Sequence, residues 1–122
     1  MEQGFVKVAS ATPRIRVADP VYNAQVICEQ AKEAAEHGAK IVVFPELCIT
    51  GYTCNDLFLQ ELLLEKAKEA LLTIAEETGQ LETLFLVGLP VDKDGRLYNV
   101  AAVLYRGRIL GMIPKKNIPM YA

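Results

Sequence analysis

Two residues that directly follow a proline are the main candidates for chemistry in this sequence. Glu46 comes after the apolar run 41–44 and Pro45, and Lys115 comes after Pro114. Proline fixes its own φ and has no N–H for a strand ladder, so a strand is expected to stop at each of these points. Glu46 would then leave the carboxyl end of a strand, where ligands bind in open α/β sheets. Taken alone, this pattern remains ambiguous, because an acidic residue after a strand is more often solvated than catalytic.

The cysteines and the single histidine are weaker candidates. Cys28 falls on the apolar face of a predicted helix and Cys54 in a loop at a helix start, so both favour a structural role. Cys48 stands two residues after Glu46, but that spacing in a loop does not fix the geometry that proton transfer to a base requires. His37 has no carboxylate or cysteine at ligand spacing and is interpreted as a helix cap rather than a metal ligand.

Composition limits the class of protein. The 122 residues are 52% hydrophobic, which predicts one core-rich domain, and 13 basic against 15 acidic residues give no basic surface for nucleic acid. No apolar run reaches the length of a membrane span and no signal-peptide pattern opens the chain, so we expect a cytoplasmic protein. Three cysteines without a CxxC pair predict free thiols in a reducing compartment.

The elements that would position Glu46 form a βαβ unit. Residues 5–12 predict a first strand, and Asp19-Pro20 is typical of a helix start, with Asp19 as the cap and Pro20 at the first helical position. Gly38 after His37 is the expected stop of this helix. Its predicted core face consists of Val21, Ala24, Cys28, Ala31 and Ala35. The short connection to a second strand over 39–44 predicts that the two strands are parallel.

The rest of the chain predicts one helix and three strands. The helix begins at Asn55 or Asp56, runs to about Thr78 and ends at Gly79. Its predicted core face consists of Leu59, Leu63, Ala67, Ala70, Leu71 and Ile74. Strands are expected over 82–91, 96–105 and 108–113, the last one stopped by Pro114. The order β-α-β-α-β-β-β predicts an α/β fold with two helices on one face of a sheet.

Several motifs together resemble the carbon–nitrogen hydrolase (nitrilase) superfamily. They are Phe44-Pro45-Glu46-Leu47, Leu97-Tyr98-Asn99, Gly107-Arg108-Ile109-Leu110-Gly111 and Pro114-Lys115. Within that superfamily, residues 50–60 (TGYTCNDLFLQ) resemble the glutaminase domain of bacterial glutamine-dependent NAD synthetases. The resemblance implies the N-terminal half of an α-β-β-α sandwich, so residues 1–122 are expected to be a partial domain truncated after the lysine motif.

The resemblance also implies roles for single residues. Members of the family use a glutamate, a lysine and a cysteine, and the motifs give the first two parts to Glu46 and Lys115. Tyr121 corresponds to a tyrosine that lines the glutamine site. A carboxylate in a dry pocket can take the proton of a thiol, and a fixed ammonium can stabilise the oxyanion. Lys116 is the alternative cation and is interpreted as a solvated neighbour.

The sequence departs from the family in one respect, because no cysteine follows Lys115. We therefore expect the 122-residue chain by itself to be catalytically silent. The resemblance implies glutamine as substrate, no cofactor for the glutaminase part, and ATP with Mg²⁺ only in a separate synthetase domain that amidates deamido-NAD. A stand-alone amidase or nitrilase of the same superfamily and a non-catalytic assembly remnant stay open as alternatives.

The apolar character of the strands also predicts that the chain associates with other protein chains. Residues 5–12, 41–44 and 83–89 are apolar on both faces, although the two helices would cover only one face of the sheet. The other face and an unpaired strand edge would then meet water. We therefore expect the chain to form homo-oligomers or to associate with chains that carry the remainder of the domain.

Overall fold

The computed structural model describes residues 7–16, 19–45, 48–50 and 57–117, and for residues 57–61 and 115–117 it describes the backbone alone. The elements follow the predicted order. They are β1 (Val8–Ser10), α1 (Pro20–Glu36), β2 (Ile41–Val43), α2 (Leu57–Glu77), β3 (Leu84–Lys93), β4 (Arg96–Tyr105) and β5 (Arg108–Asn117). The predicted α/β class is confirmed. Within the described ranges, neither helix combines the length and apolar character that crossing a membrane requires.

The five strands form one sheet in the order β1-β2-β3-β4-β5. β1, β2 and β3 are mutually parallel, which confirms the predicted βαβ unit, whereas β4 and β5 are added as antiparallel hairpins. Both hairpin turns consist of two residues with positive φ, Asp94-Gly95 at 53° and 76° and Arg106-Gly107 at 51° and 83°. Turns with positive φ at both central residues match the twist of the flanking strands. The carboxyl ends of β2, β3 and β5 consequently point towards the same edge of the sheet.

Helix α1 begins and ends at the residues that the sequence indicates. The Asp19 carboxylate accepts a hydrogen bond from the backbone N–H of Tyr22 at 3.2 Å, and Pro20 occupies the first helical position. Gly38 ends the helix with φ +87°. His37 is the C-cap, and its Nδ1 lies 2.9 Å from the carbonyl oxygen of Glu33. The predicted capping role of His37 is thereby confirmed.

The core lies between the two helices and one face of the sheet. Its large buried side chains are Ile27, Ile49, Ile74, Phe85, Leu89, Leu104, Val42 and Val87. The predicted core positions Ala24, Cys28 and Ala31 of α1 and Ala67, Ala70, Leu71 and Ile74 of α2 are buried. Val21 is a wrong prediction, because 61% of it is exposed at the solvent-facing start of α1.

Strand β5 differs from its prediction. Pro114 does not end it, because the strand continues to Asn117. β5 is the last strand of the sheet, and proline is tolerated on an edge strand and at bulges, where a missing N–H leaves no ladder bond broken. The pairing of β5 with β4 is in fact irregular beside Pro114: the register shifts between Asn99 and Val100. This irregularity matters for Lys115.

Candidate functional site

The loop that leaves β2 is fixed at both ends on strand β3. The N–H of Phe44 donates to the carbonyl oxygen of Leu86 at 2.9 Å, and the N–H of Ile49 donates to that of Gly88 at 3.2 Å. Glu46 stands in sequence between these two anchors and lies outside the described residues, as does Leu47. The loop therefore leaves β2 and returns to β3 within six residues, at the predicted edge of the sheet.

A buried asparagine ties this loop to the N-terminal part of α1. Asn23 is fully buried, and its Nδ2 donates to the carbonyl oxygens of Arg16 and Ile49, both at 2.7 Å. Its Oδ1 accepts from the N–H of Arg16 at 2.6 Å. Two of these bonds reach the connection that precedes α1, and the third reaches Ile49, which is 26 residues away, so Asn23 fixes the β1–α1 connection against the loop after β2. The role of Asn23 is not predictable from the sequence, because its position on the helix does not reveal which backbone groups it meets.

A pocket of about 250 Å³ opens where β2 ends, on the sheet face away from the helices. Val43 pairs with Leu86, and Gly88 pairs with Ala101, so these four residues share that face. Because Gly88 has no side chain and Ala101 a small one, this pair leaves a depression between larger neighbours. The remaining lining residues are Phe44, Pro45, Asn99 and Val100. The residue before Glu46 thus borders the pocket.

A larger depression, of about 480 Å³, lies between α1 and α2. Its charged lining residues are Glu29, Lys32, Lys66, Glu69 and Glu77. Lys32 and Glu77 form an exposed ion pair at 3.5 Å, a usual feature of a solvated helix surface. No residue of β2, β3 or β4 lines this depression. The smaller pocket at the end of β2 is therefore the candidate site.

Asn99 brings a polar group to this pocket. Only 1% of the residue is exposed, and its side-chain oxygen is the buried side-chain polar atom without a hydrogen-bond partner in the part of the chain that the structure describes. Leaving a buried acceptor unsatisfied costs about 1–3 kcal/mol. The signal for Asn99 in the sequence is a polar residue inside the apolar strand LYNVAAVLY.

A β-bulge places the backbone of Lys115 opposite two residues that line the pocket, Asn99 and Val100. Pro114 pairs with Val100 and Lys116 with Asn99, so Lys115 is the extra residue of β5 at this point. Bulges interrupt the alternation of a strand and often re-aim a side chain next to an active site. The backbone of Lys115 is thus placed opposite the Asn99–Val100 step, whereas its side chain lies outside the described residues. Tyr121 also lies outside them.

The structure describes two cysteines, and the surroundings of neither thiol favour the reactive thiolate form. Cys48 is fully buried, and its thiol donates to the carbonyl oxygen of Gly88 at 3.6 Å. Burial raises the pKa of the Cys48 thiol to about 12, and burial together with Glu77 raises the pKa of Cys28 to about 11. Thiols with such pKa values hold almost no thiolate at neutral pH. Cys54 lies outside the described residues.

Comparison with known proteins gives a consistent result. Residues 7–120 match the model of the family described as carbon-nitrogen hydrolase. The chain is 38% identical over 120 residues to a glutamine-dependent NAD(+) synthetase of Mycobacterium bovis, covering 98% of this chain and 18% of that protein. The chain therefore spans less than a fifth of the length of this curated relative.

Solved structures show the same fold. The crystal structure of a glutamine-dependent NAD(+) synthetase from Cytophaga hutchinsonii superposes with a TM-score of 0.82 at 30% identity, covering 93% of this chain and 19% of that one. An amidase from Nesterenkonia sp. superposes with a TM-score of 0.73 at 24% identity, covering 90% of this chain and 42% of that one. The second likeness concerns the fold alone.

Proposed function

Because the chain belongs to the carbon–nitrogen hydrolase family, we propose that it forms the first part of a glutaminase domain. That domain would release ammonia from glutamine and supply it to the ATP-dependent amidation of deamido-NAD. The observation that carries the proposal is the similarity to glutamine-dependent NAD(+) synthetases, which extends over nearly the whole of this chain. Glutamine, a synthetase domain, ATP and Mg²⁺ are the substrate, partner and ligands that this function requires.

Glu46 is the general base in this proposal. It would take the proton of a cysteine thiol, which then attacks the carboxamide carbon of glutamine. The anchoring of both ends of its loop on β3 and the apolar pocket beside Pro45 support this role. An apolar environment raises the pKa of a carboxylic acid towards neutrality, which makes its carboxylate a stronger base.

Lys115 is the cation that stabilises the oxyanion. Attack on the carboxamide places negative charge on its oxygen, and loss of one fixed donor at such a position typically raises the barrier by about 2.7–4 kcal/mol. The bulge opposite Asn99 supports the choice of Lys115, because it places this residue across strand β4 from the candidate pocket. Tyr121 would contribute to the binding of glutamine.

The nucleophile is not among the described cysteines. Cys48 and Cys28 are buried with raised pKa values, and the sequence has no cysteine after Lys115. The 122-residue chain is therefore expected not to hydrolyse glutamine. A glutamine-analogue electrophile should label it no faster than it labels free cysteine, and stoichiometric labelling of Cys48 would contradict this assignment.

The product of the complete gene provides the test of function. Its rate of NAD formation from deamido-NAD and ATP is measured with glutamine and, separately, with ammonia. Glu46→Gln and Lys115→Met should each lower the glutamine-dependent rate by about 100-fold or more, with the ammonia-dependent rate retained. The matched controls, Glu65→Gln on the exposed surface of α2 and Lys93→Met beside a hairpin turn, should leave both rates unchanged.

Two other outcomes would contradict the proposed function, and a third would contradict the role of Glu46. Hydrolysis of small amides without any NAD formation would identify a stand-alone amidase of the same family. The absence of both activities from a folded product of the complete gene would leave a non-catalytic assembly role. Full glutamine-dependent activity of the Glu46→Gln variant would overturn the assignment of the base.

A further inference from the structure

Asn99 is a polar residue that is buried on the face of the sheet that carries the candidate pocket. Val100, Ala102 and Leu104 of β4 belong to the core beneath the helices, so the alternation of the strand places Asn99 and Ala101 on the opposite face. That face carries the candidate pocket, and Asn99 is nonetheless almost completely buried there. A solvated role for Asn99 is therefore excluded.

The described lining of the pocket offers no donor to the Asn99 oxygen. Its other side chains, those of Val43, Phe44, Pro45, Leu86, Val100 and Ala101, are apolar, and Gly88 has none. The backbone N–H groups of β3 and β4 are directed along the sheet into their own ladder. A buried acceptor in such surroundings requires a donor from another element.

Strand β5 is the neighbouring element that can supply this donor, because it pairs with β4 at Asn99. Lys116 pairs with Asn99, and the bulge places Lys115 beside the same position, so two lysines follow each other across from one orphaned oxygen. Lysine is a donor of three hydrogen bonds and no acceptor. An ammonium held by charge-assisted bonds to fixed oxygens has a defined direction for its remaining N–H.

We propose that Asn99 is a positioning residue whose Oδ1 accepts a hydrogen bond from the ammonium of Lys115. The proposal rests on the function proposed above for Lys115. One N–H of the ammonium would then be directed to Asn99, and another would be available to the carboxamide oxygen of the substrate. Asn99 acts through Lys115 and makes no contact with the reacting atoms.

The chemistry favours an amide rather than a carboxylate at position 99. A neutral carbonyl oxygen orients the ammonium but leaves its positive charge available to the oxyanion. A second carboxylate beside Glu46 would neutralise that charge and weaken stabilisation of the transition state. With an apolar residue of the same size, the long lysine side chain would populate several rotamers and its ammonium would have no fixed position.

Competitive acetylation of the product of the complete gene, in the absence of substrates, tests the contact without any enzymatic activity. Trace labelling with light acetic anhydride is followed by complete labelling with the heavy reagent in denaturant, and fragment-ion mass spectrometry gives the rate at each lysine relative to exposed Lys93. Asn99→Leu should raise the relative rate at Lys115 about tenfold, because a bond that keeps the amine protonated is lost. Asn99→Asp should lower it about tenfold, because a carboxylate holds the proton more strongly.

Two controls separate this effect from general loosening of the sheet. Lys116 should change less than about twofold in both variants, as expected for an amine that keeps full solvation. Thr83→Val removes another buried hydrogen bond, from the Thr83 hydroxyl to the carbonyl oxygen of Ala39 at 2.9 Å, and should leave Lys115 unchanged. Loosening would raise the rate at Lys115 in all three variants, whereas the proposed contact predicts opposite shifts for Asn99→Leu and Asn99→Asp.

The proposal is overturned if both Asn99 variants shift Lys115 in the same direction, if neither does, or if the shifts occur at Lys116 instead. Should Asn99→Leu fail to fold, the isosteric Asn99→Asp variant decides by itself, since its relative rate at Lys115 either falls or does not. Because acetylation reports the contact and NAD formation reports the activity, failure of this inference and failure of the proposed function give different results.

Discussion

The Nδ2 of Asn23 lies 2.7 Å from the carbonyl oxygen of Ile49, and this bond connects helix α1 to the loop that carries Glu46 in its sequence. The same side chain bonds both backbone groups of Arg16. One buried amide thus satisfies three backbone groups in two segments that have no ladder of their own. The loop after β2 is thereby tied to a residue that lies 26 positions before Ile49 in the sequence.

Replacing Asn23 should therefore be costly. In the Asn23→Ala variant the N–H of Arg16 and the carbonyl oxygen of Ile49 lose the bonds that Asn23 makes to them, whereas the carbonyl oxygen of Arg16 keeps a bond from the N–H of Asp19 at 3.3 Å. We expect the free energy of unfolding to fall by about 2–4 kcal/mol. Urea unfolding measures this loss. Thr73→Ala is the control, because it removes an exposed hydroxyl bond to Glu69 within α2 and should change stability by less than about 0.5 kcal/mol. Equal effects of the two substitutions would contradict the role of Asn23.

The buried thiol of Cys48 predicts a specific loss of stability in alkali. Its pKa is raised to about 12 in the folded chain, against an ordinary value of 9.0. The unfolded state therefore releases the proton first, and the contribution is complete below pH 9 and is lost as the pH rises towards 12, by up to about 1.4 kcal/mol per pH unit. Unfolding free energies of Cys48→Ala should decline less steeply than those of the unsubstituted chain between pH 9 and 11. Parallel curves would refute the burial of the thiol.

Two adjacent alanines should respond differently to the same enlargement. Ala102 is fully buried beneath the helices, so Ala102→Val overpacks the core and should lower the free energy of unfolding by about 1–3 kcal/mol. Ala101 faces the pocket, where two additional methyl groups have space, and Ala101→Val should cost clearly less. Thermal unfolding of both variants checks the order, and the reverse order would show that the pocket lies on the other face.

The free edge of β5 predicts self-association. Residues 106–114 are all exposed, among them Leu110 at 57% and Met112 at 43%. An apolar edge strand with unpaired backbone groups favours pairing with another chain. Sedimentation velocity over a wide concentration range should show oligomers that Leu110→Lys or Met112→Lys shifts towards the monomer. Leu72→Lys, at a comparably exposed site on α2, should have no effect, and a single monomeric species of the unsubstituted chain would disprove the prediction.

The elements of this fold could be predicted from the sequence because their signals are local. Asp19, Pro20 and Gly38 fix both ends of α1 through bonds and φ values within a few residues. Each of the two hairpin turns likewise depends on two adjacent residues with positive φ. The motif around Glu46 and Lys115 indicated the family, which the match over residues 7–120 confirms.

Only the tertiary structure decided what these elements bring together. The sequence predicted that Pro114 ends a strand, but β5 continues through it because β5 lies at the edge of the sheet, where proline is tolerated. Its edge position follows from the order of all five strands. The bulge at Lys115 depends on its register with β4, and the isolation of the Asn99 oxygen depends on three strands and the pocket between them. Local sequence specifies backbone conformation, whereas burial and strand pairing depend on residues that are distant along the chain. The candidate site could therefore be identified only from the folded sheet.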